Sequence, residues 1–385
     1  MKYTLLSIWS LMLILIVGEV LAQENNEITI GQFQKFESRT LNSDAYFMVS
    51  IPEDASAESE YPVLYLLDGE SHFYNAIAIV KKFGGDVIPK LVIVGVISTN
   101  RQSDLQMRPE NKFDDYLVKD LIPHIKSNYP VSDYCVLFGH SLGGIFALDL
   151  IKNHPSAFQS CIVLEPSLSI DGSNERSNYL VEAFQNHHSP SIRLGIANSL
   201  NILGELNQLL RDTSRNTLHM RTLVEFDQQM NSAVNANYDS FYLENEDHFS
   251  CTHSGLYLGL KSLFHSYKIP EQVWQKESES GLLIKEHFEK LKAAYQYDVK
   301  PEENFLNNLA FYLFGLGDTQ DAETLLRLNT EYHPNSFSVY ENIGNFYAAT
   351  GNNQKAIAAF KEALLVNDSL EVKEKIEVLE KELDE

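Results

Sequence analysis

The sequence predicts a doubly wound α/β domain with a mostly parallel sheet, followed by a small all-α domain. Three observations carry this. Short, wholly apolar runs recur through the first part of the chain at 63–67, 91–96, 135–138 and 161–164, and a further run at 192–197 is broken only by Arg193, as expected of strands buried on both faces. Helical or loop segments separate these runs, and strands alternating with helices imply crossover connections and a parallel sheet. Beyond about residue 280 the strand signals stop, and a helical pattern with an internal period takes over.

The chain has 385 residues, enough for two domains and a large core. With 44% hydrophobic and 22% charged residues it reads as globular. A net charge of −23 without any basic block excludes a nucleic-acid partner and disfavours anionic membrane surfaces. Residues 1–22 have the parts of a secretory signal: Lys2, an apolar run from Leu5 to Val17, and Val20-Leu21-Ala22 before Gln23. The mature chain is therefore expected to begin at Gln23, exported to the periplasm or secreted, with no membrane span after cleavage. Cys135, Cys161 and Cys251 are too few and too apolar in setting for a disulfide framework or metal cage. Cys135 and Cys161 are expected as buried hydrophobes, with a disulfide between them as the alternative. Neither a metal nor a cofactor is expected.

Residues 28–51 alternate like strand sequence until Pro52, and 53–60 form a polar loop. The run 63–67 ends in Asp68-Gly69-Glu70, and the run 91–96 follows an intervening helix. Residues 113–129 read as a helix with Tyr116, Leu117, Leu121, Ile122 and Ile125 on one face. The next strand enters Gly139-His140-Ser141-Leu142-Gly143-Gly144, after which Ile145, Phe146, Leu148 and Ile151 recur at helical spacing. Further strands are expected at 160–164, 192–197 and 240–243.

Strand, sharp turn and helix around G-x-S-x-G form the setting of a nucleophile elbow. The outer glycines are needed where strand and helix pass too close for side chains, and the turn lifts the Ser141 hydroxyl clear of the sheet. In such a sheet the site gathers at the carboxyl ends of the strands. A serine needs an imidazole to take its proton, and His248, just past the last strand, fits that role. The N–H groups of Leu142 and of Gly69 or Glu70 would form the oxyanion hole. The orienting acid is less clear, because 198–201 carry no carboxylate. Glu205 is the first choice, Asp212 and Glu165 stand behind it, and a Ser-His dyad is the remaining option. His72, Arg101 and His140 could line the substrate pocket.

These residues resemble the Putative esterase family of α/β-hydrolases, which includes enterochelin esterases and esterase D. The resemblance rests on 61–69, on Val94-Gly95-Val96 with Asn100-Arg101 and Asp104, on Leu121-Ile122-Pro123, 139–144, Pro166-Ser167-Leu168 and Glu246-Asp247-His248. It spans about 28–267 and implies an α/β-hydrolase fold and a serine ester hydrolase. The chain departs from the family where Glu165-Pro166-Ser167 replaces the frequent Ser-Pro-Ser, and at the missing acid after the 192–197 strand.

The α/β-hydrolase domain is thus expected over 23–269, a polar linker over 270–281 and a helical domain over 282–385. In the last, Gly317 and Gly351, Ala322 and Ala356, and Ala310 and Gly344 are each 34 positions apart, the tetratricopeptide period. Repeats are expected at about 302–335 and 336–369, closed by a capping helix at 370–383. They could form a partner-binding or self-association surface, or a brace for the first domain. The sequence therefore supports an exported serine esterase acting on a small-molecule ester, with siderophore and acylated-carbohydrate esters as candidates. The alternative is a decayed hydrolase domain serving as a scaffold through its repeats.

Overall fold

The computed structural model describes residues 29–55, 60–106, 111–186, 190–197, 202–232 and 237–384, with the side chains of 186 and 202–205 outside the description. The expected signal segment lies outside the described residues. Eight described strands form one sheet: β1 (Gln32–Ser38), β2 (Ser43–Ser50), β3 (Tyr61–Leu66), β4 (Val92–Val96), β5 (Val131–His140), β6 (Ser160–Leu164), β7 (Ser191–Ala197) and β8 (Tyr238–Leu243). Their spatial order is β1-β2-β4-β3-β5-β6-β7-β8. The pairs β1/β2 and β2/β4 are antiparallel and the others parallel.

The alternating segment expected at 28–51 is split into the hairpin β1/β2. Asn42 makes the turn at φ 55°, a left-handed conformation that asparagine tolerates better than most residues. The helix expected at 113–129 contains a wide π turn at Leu117–Leu121, directly before Pro123. Proline has no N–H to continue the ladder, so the extra residue in the turn absorbs the missing bond.

Both faces of the sheet are covered. On one face Leu64, Leu66, Val136, Phe138, Ile162 and Leu164 pack with α1 (Gly69–Phe83) and α7 (Cys251–Leu263). On the other, Val63, Tyr65, Cys135, Leu137, Cys161 and Val163 pack with α2 (Ile122–Asn128), α3 (Leu142–Asn153), α4 (Glu175–Asn186) and α6 (Leu218–Asn231). Alternate residues of one strand therefore enter opposite cores, which is why the central runs 63–67, 135–138 and 161–164 are apolar throughout. Between α4 and α6 lies α5 (Ile202–Arg211). The three cysteines are free and buried, and burial pushes the Cys135 thiol up to about 12.

After β8 the chain is helical: α8 (Ser280–Tyr295), α9 (Glu303–Gly315), α10 (Thr319–Tyr332), α11 (Phe337–Ala349), α12 (Asn353–Val366) and α13 (Leu370–Asp384). The 34-residue correspondence is structural. Gly317 (φ 83°) and Gly351 (φ 76°) make equivalent left-handed turns, followed by the N-caps Asp318 and Asn352. A Cβ on Gly344 would stand 2.5 Å from the Phe360 ring, so the small residue there lets α11 and α12 approach. The stretch 270–281 is packed rather than free: Val273 is buried, Ser280 Oγ donates to its carbonyl, and Asp321 accepts from the N–H groups of Ser280 and Gly281. The apolar cluster on the α1/α7 face continues through Phe264, Tyr267 and Tyr295 into these helices.

Candidate active site

Three parallel strands end in non-glycine residues at positive φ: Asp68 (52°) after β3, Ser141 (55°) after β5 and Glu165 (47°) after β6. Such conformations cost about 1–3 kcal/mol each and persist only where the surrounding fold enforces them. At Ser141 the enforcement is steric. A Cβ on Gly139 would lie 2.3 Å from the Gly143 carbonyl oxygen, so β5 and α3 pass as closely as the elbow motif requires.

The turn presents Ser141 Oγ 3.0 Å from His248 Nε2. On the other side of the ring, Nδ1 lies 3.4 Å from Glu165 Oε2. A carboxylate can only accept, so Nδ1 carries the proton and Nε2 is left with a lone pair toward the hydroxyl. Glu165 is 1% exposed. Its Oε1 accepts from the Ala197 N–H at 2.6 Å, and its Oε2 also accepts from His219 Nε2 at 3.3 Å. Burial pushes this carboxyl up, but the bonds from His219, His248 and Ala197 outweigh burial and hold it below its ordinary value. His140 Nε2 donates to the His248 carbonyl at 2.7 Å, which fixes the backbone that carries the imidazole.

Leu142 opens α3, and Gly69 and Glu70 open α1, so the N–H groups of all three have no acceptor within their own helices. The two helix starts are close, since a Cβ on Gly143 would stand 3.1 Å from Asp68 Oδ2. Gly69 is held against Gly95, whose backbone a Cβ would meet at 2.5 Å. Arg101 grips the buried Asp68 carboxylate through Nε at 2.6 Å and an outer nitrogen at 2.9 Å, so its charge is spent on bracing this turn. His72 is buried, edge-on to Phe138 and His140. Burial, reinforced by His140, lowers its pKa to about 4. His72 and His140 thus pack behind the imidazole, while Phe249, 82% exposed, stands edge-on to the His248 ring at the rim.

Among the acid candidates, the Glu205 side chain lies outside the described residues. Asp212 accepts from Ser214 of its own turn. Glu165, ranked behind both in the sequence, is the carboxylate that meets His248. Two further residues enter without having been anticipated. Ser167 Oγ lies 3.3 Å from Ser141 Oγ and was visible only as part of Glu165-Pro166-Ser167. His219, on the first turn of α6, had no motif to mark it.

Strained elbow serine, imidazole and buried carboxylate at the carboxyl ends of a mostly parallel sheet define an esterase-like α/β fold. The family model described as Putative esterase matches residues 38–244, just over half of the chain. The chain belongs to that family. The ferri-bacillibactin esterase BesA of Bacillus subtilis is 30% identical over a match covering 37% of this chain and 61% of that protein, so the chain spans about three fifths of that relative's length. An IroE-like serine hydrolase from Shewanella oneidensis superposes with a TM-score of 0.65 at 24% identity, covering 78% of this chain and 99% of that one. An uncharacterised protein from Capnocytophaga ochracea superposes with a TM-score of 0.59 at 16% identity, covering 91% of this chain and 99% of its own. The last two likenesses concern the fold.

Proposed function

We propose that this chain is an exported serine esterase working through Ser141, His248 and Glu165. The reading is carried by the relay in which Ser141 Oγ lies 3.0 Å from His248 Nε2 while Nδ1 faces the buried Glu165. His248 takes the hydroxyl proton as Ser141 Oγ attacks the ester carbonyl, Glu165 stabilises the imidazolium, and the carbonyl oxygen becomes an oxyanion held by the N–H groups of Leu142 and Gly69 or Glu70. The imidazolium then protonates the leaving alcohol, and the acyl-enzyme is hydrolysed by the same steps with water in place of serine. Export rests on the signal-like residues 1–22. Among the described residues, no helix is long and apolar enough to cross a membrane.

Siderophore-type esters are the favoured substrates. The BesA relative acts in its name on ferri-bacillibactin, and the exposed Phe249 offers an aromatic face beside the imidazole. Acylated carbohydrates are the second class. The helices after α8 are read as two tetratricopeptide repeats with a capping helix, supported by the paired turns at Gly317 and Gly351. Their apolar continuity with the sheet favours a brace. The scaffold alternative loses its main support, the missing acid, now that a carboxylate stands at His248. Ser141→Ala is expected to remove hydrolysis of p-nitrophenyl esters and siderophore esters by at least about 10⁴-fold, with loss of fluorophosphonate labelling. Unchanged turnover in that variant would overturn the assignment.

A further inference from the structure

Glu165, His219 and His248 come from three separate elements, yet one ligand atom of each lies within 4.8 Å of the others. The relay explains two of them. His219 has no part in it, although its Nε2 shares Glu165 Oε2 with His248. A tetrahedral zinc ion binds nitrogen and carboxylate oxygen at about 2.0–2.2 Å, which places neighbouring ligand atoms about 3.4 Å apart. The two nitrogen-to-carboxylate distances, 3.3 and 3.4 Å, match that spacing. The carboxylate is already oriented from behind, since the Ala197 N–H occupies Oε1 and leaves Oε2 for a metal. Both imidazoles are about one-third exposed, so an ion has a route in.

We propose that this cluster is an inhibitory zinc site that switches the hydrolase off through the tautomer of His248. Zn²⁺ bound at Nδ1 takes the lone pair of that nitrogen, which must give up its proton. The neutral imidazole then carries its one proton on Nε2, delivered through solvent, and no net proton is released. Nε2 can only donate to Ser141 Oγ in that state, so the base is lost while the fold is unchanged. The ion also takes Glu165 Oε2 away from the imidazole. His219 supplies the third ligand through Nε2, whose proton likewise moves through solvent to Nδ1 of the same ring, and water completes the site. The inhibition rests on the esterase reading, whereas the binding does not.

The test uses untagged full-length protein. Ser141→Ala lacks the nucleophile but keeps all three ligands, and calorimetric titration with Zn²⁺ is expected to show one ion per chain, with no binding of the harder, oxygen-seeking Mg²⁺. Adding His219→Gln, which keeps a donor toward Glu165 but not a metal ligand, should weaken zinc binding at least tenfold. X-ray absorption of the zinc-loaded Ser141→Ala protein should show two imidazoles at the metal, a readout independent of whether the glutamine variant folds. In the active protein, Zn²⁺ should reduce ester turnover more than tenfold, reversibly with a chelator. His219→Gln should raise the inhibiting concentration at least tenfold, measured against its own metal-free rate. No zinc binding to Ser141→Ala, a metal shell without two imidazoles, or inhibition indifferent to His219→Gln would each overturn the proposal. If the wild type is inert toward every ester, the functional reading fails, and the titration and absorption data still decide the metal site.

Discussion

At their carboxyl ends, β3, β5 and β6 pass through the left-handed residues Asp68, Ser141 and Glu165. At the other end of the same sheet the chain is heavily packed. Tyr134, early in β5, bonds Ser160 at the start of β6, and its ring meets Phe264 and Tyr295 at centroid distances of 5.9 and 5.5 Å. Lys90, just before β4, pairs with Glu302 ahead of α9. The helical region therefore docks at the amino-terminal ends of the strands. Seven residue steps along β5 separate Tyr134 from Ser141, roughly 23 Å at about 3.3 Å per residue. The difference teaches a division of labour: one end gathers polar chemistry on strained strand-end turns, and the other supplies apolar burial that helps keep those turns in place.

The largest effect separating the two ends is expected from Glu165→Gln. An amide at that position no longer selects the Nδ1–H tautomer of His248, so kcat should fall by about 10³–10⁴-fold. Stability should respond through pH. The folded pKa of Glu165 lies below its ordinary value of 4.5, so its ionised form contributes stability that is fully present above that value. The contribution is lost as pH falls through the lowered folded pKa. The melting-temperature difference between wild type and Glu165→Gln should therefore be widest near neutrality and narrow progressively below about pH 4.5. A difference independent of pH would mean that Glu165 is neutral in the fold.

What the sequence reveals about these two ends differs for physical reasons. The central strands are legible because burial on both faces makes every residue apolar, as in 63–67 and 161–164. The juxtaposition of Ser141 and His248 is legible because the elbow is local and the histidine follows the last strand. The carboxylate at His248 is not, since two strand ends could supply one. The choice depends on the left-handed turn at Glu165 and on the Ala197 N–H that grips it, neither visible in the residue order. His219 is hidden more deeply, reaching its partner from 54 positions away. The 34-residue period is plain, yet the docking side is not, because Tyr134, Phe264 and Tyr295 read as ordinary core residues until the fold assembles them.

At the packed end the comparison predicts stability effects without catalytic ones. Phe264 is fully buried, edge-on to Tyr295. Phe264→Ala should cost about 3–5 kcal/mol in denaturant unfolding, while kcat of the folded fraction stays within twofold of wild type. A parallel collapse of kcat would show that the helical region positions the catalytic end directly.

The smallest effect is expected at the ion pair across the same junction. Lys90 Nζ lies 2.5 Å from Glu302 and equally close to Asp54, with all three side chains in contact with solvent. Pairs of this kind contribute at most about 1 kcal/mol. In Glu302→Gln, Lys90 retains Asp54, so the loss should be smaller still and should fade as added salt screens the wild-type pair. Melting curves of both proteins at low and high ionic strength measure this directly. A loss as large as that of Phe264→Ala, persisting in salt, would mean that charge rather than the aromatic cluster fastens the helices to the sheet. The two ends would then differ in geometry but not in the kind of force that secures them.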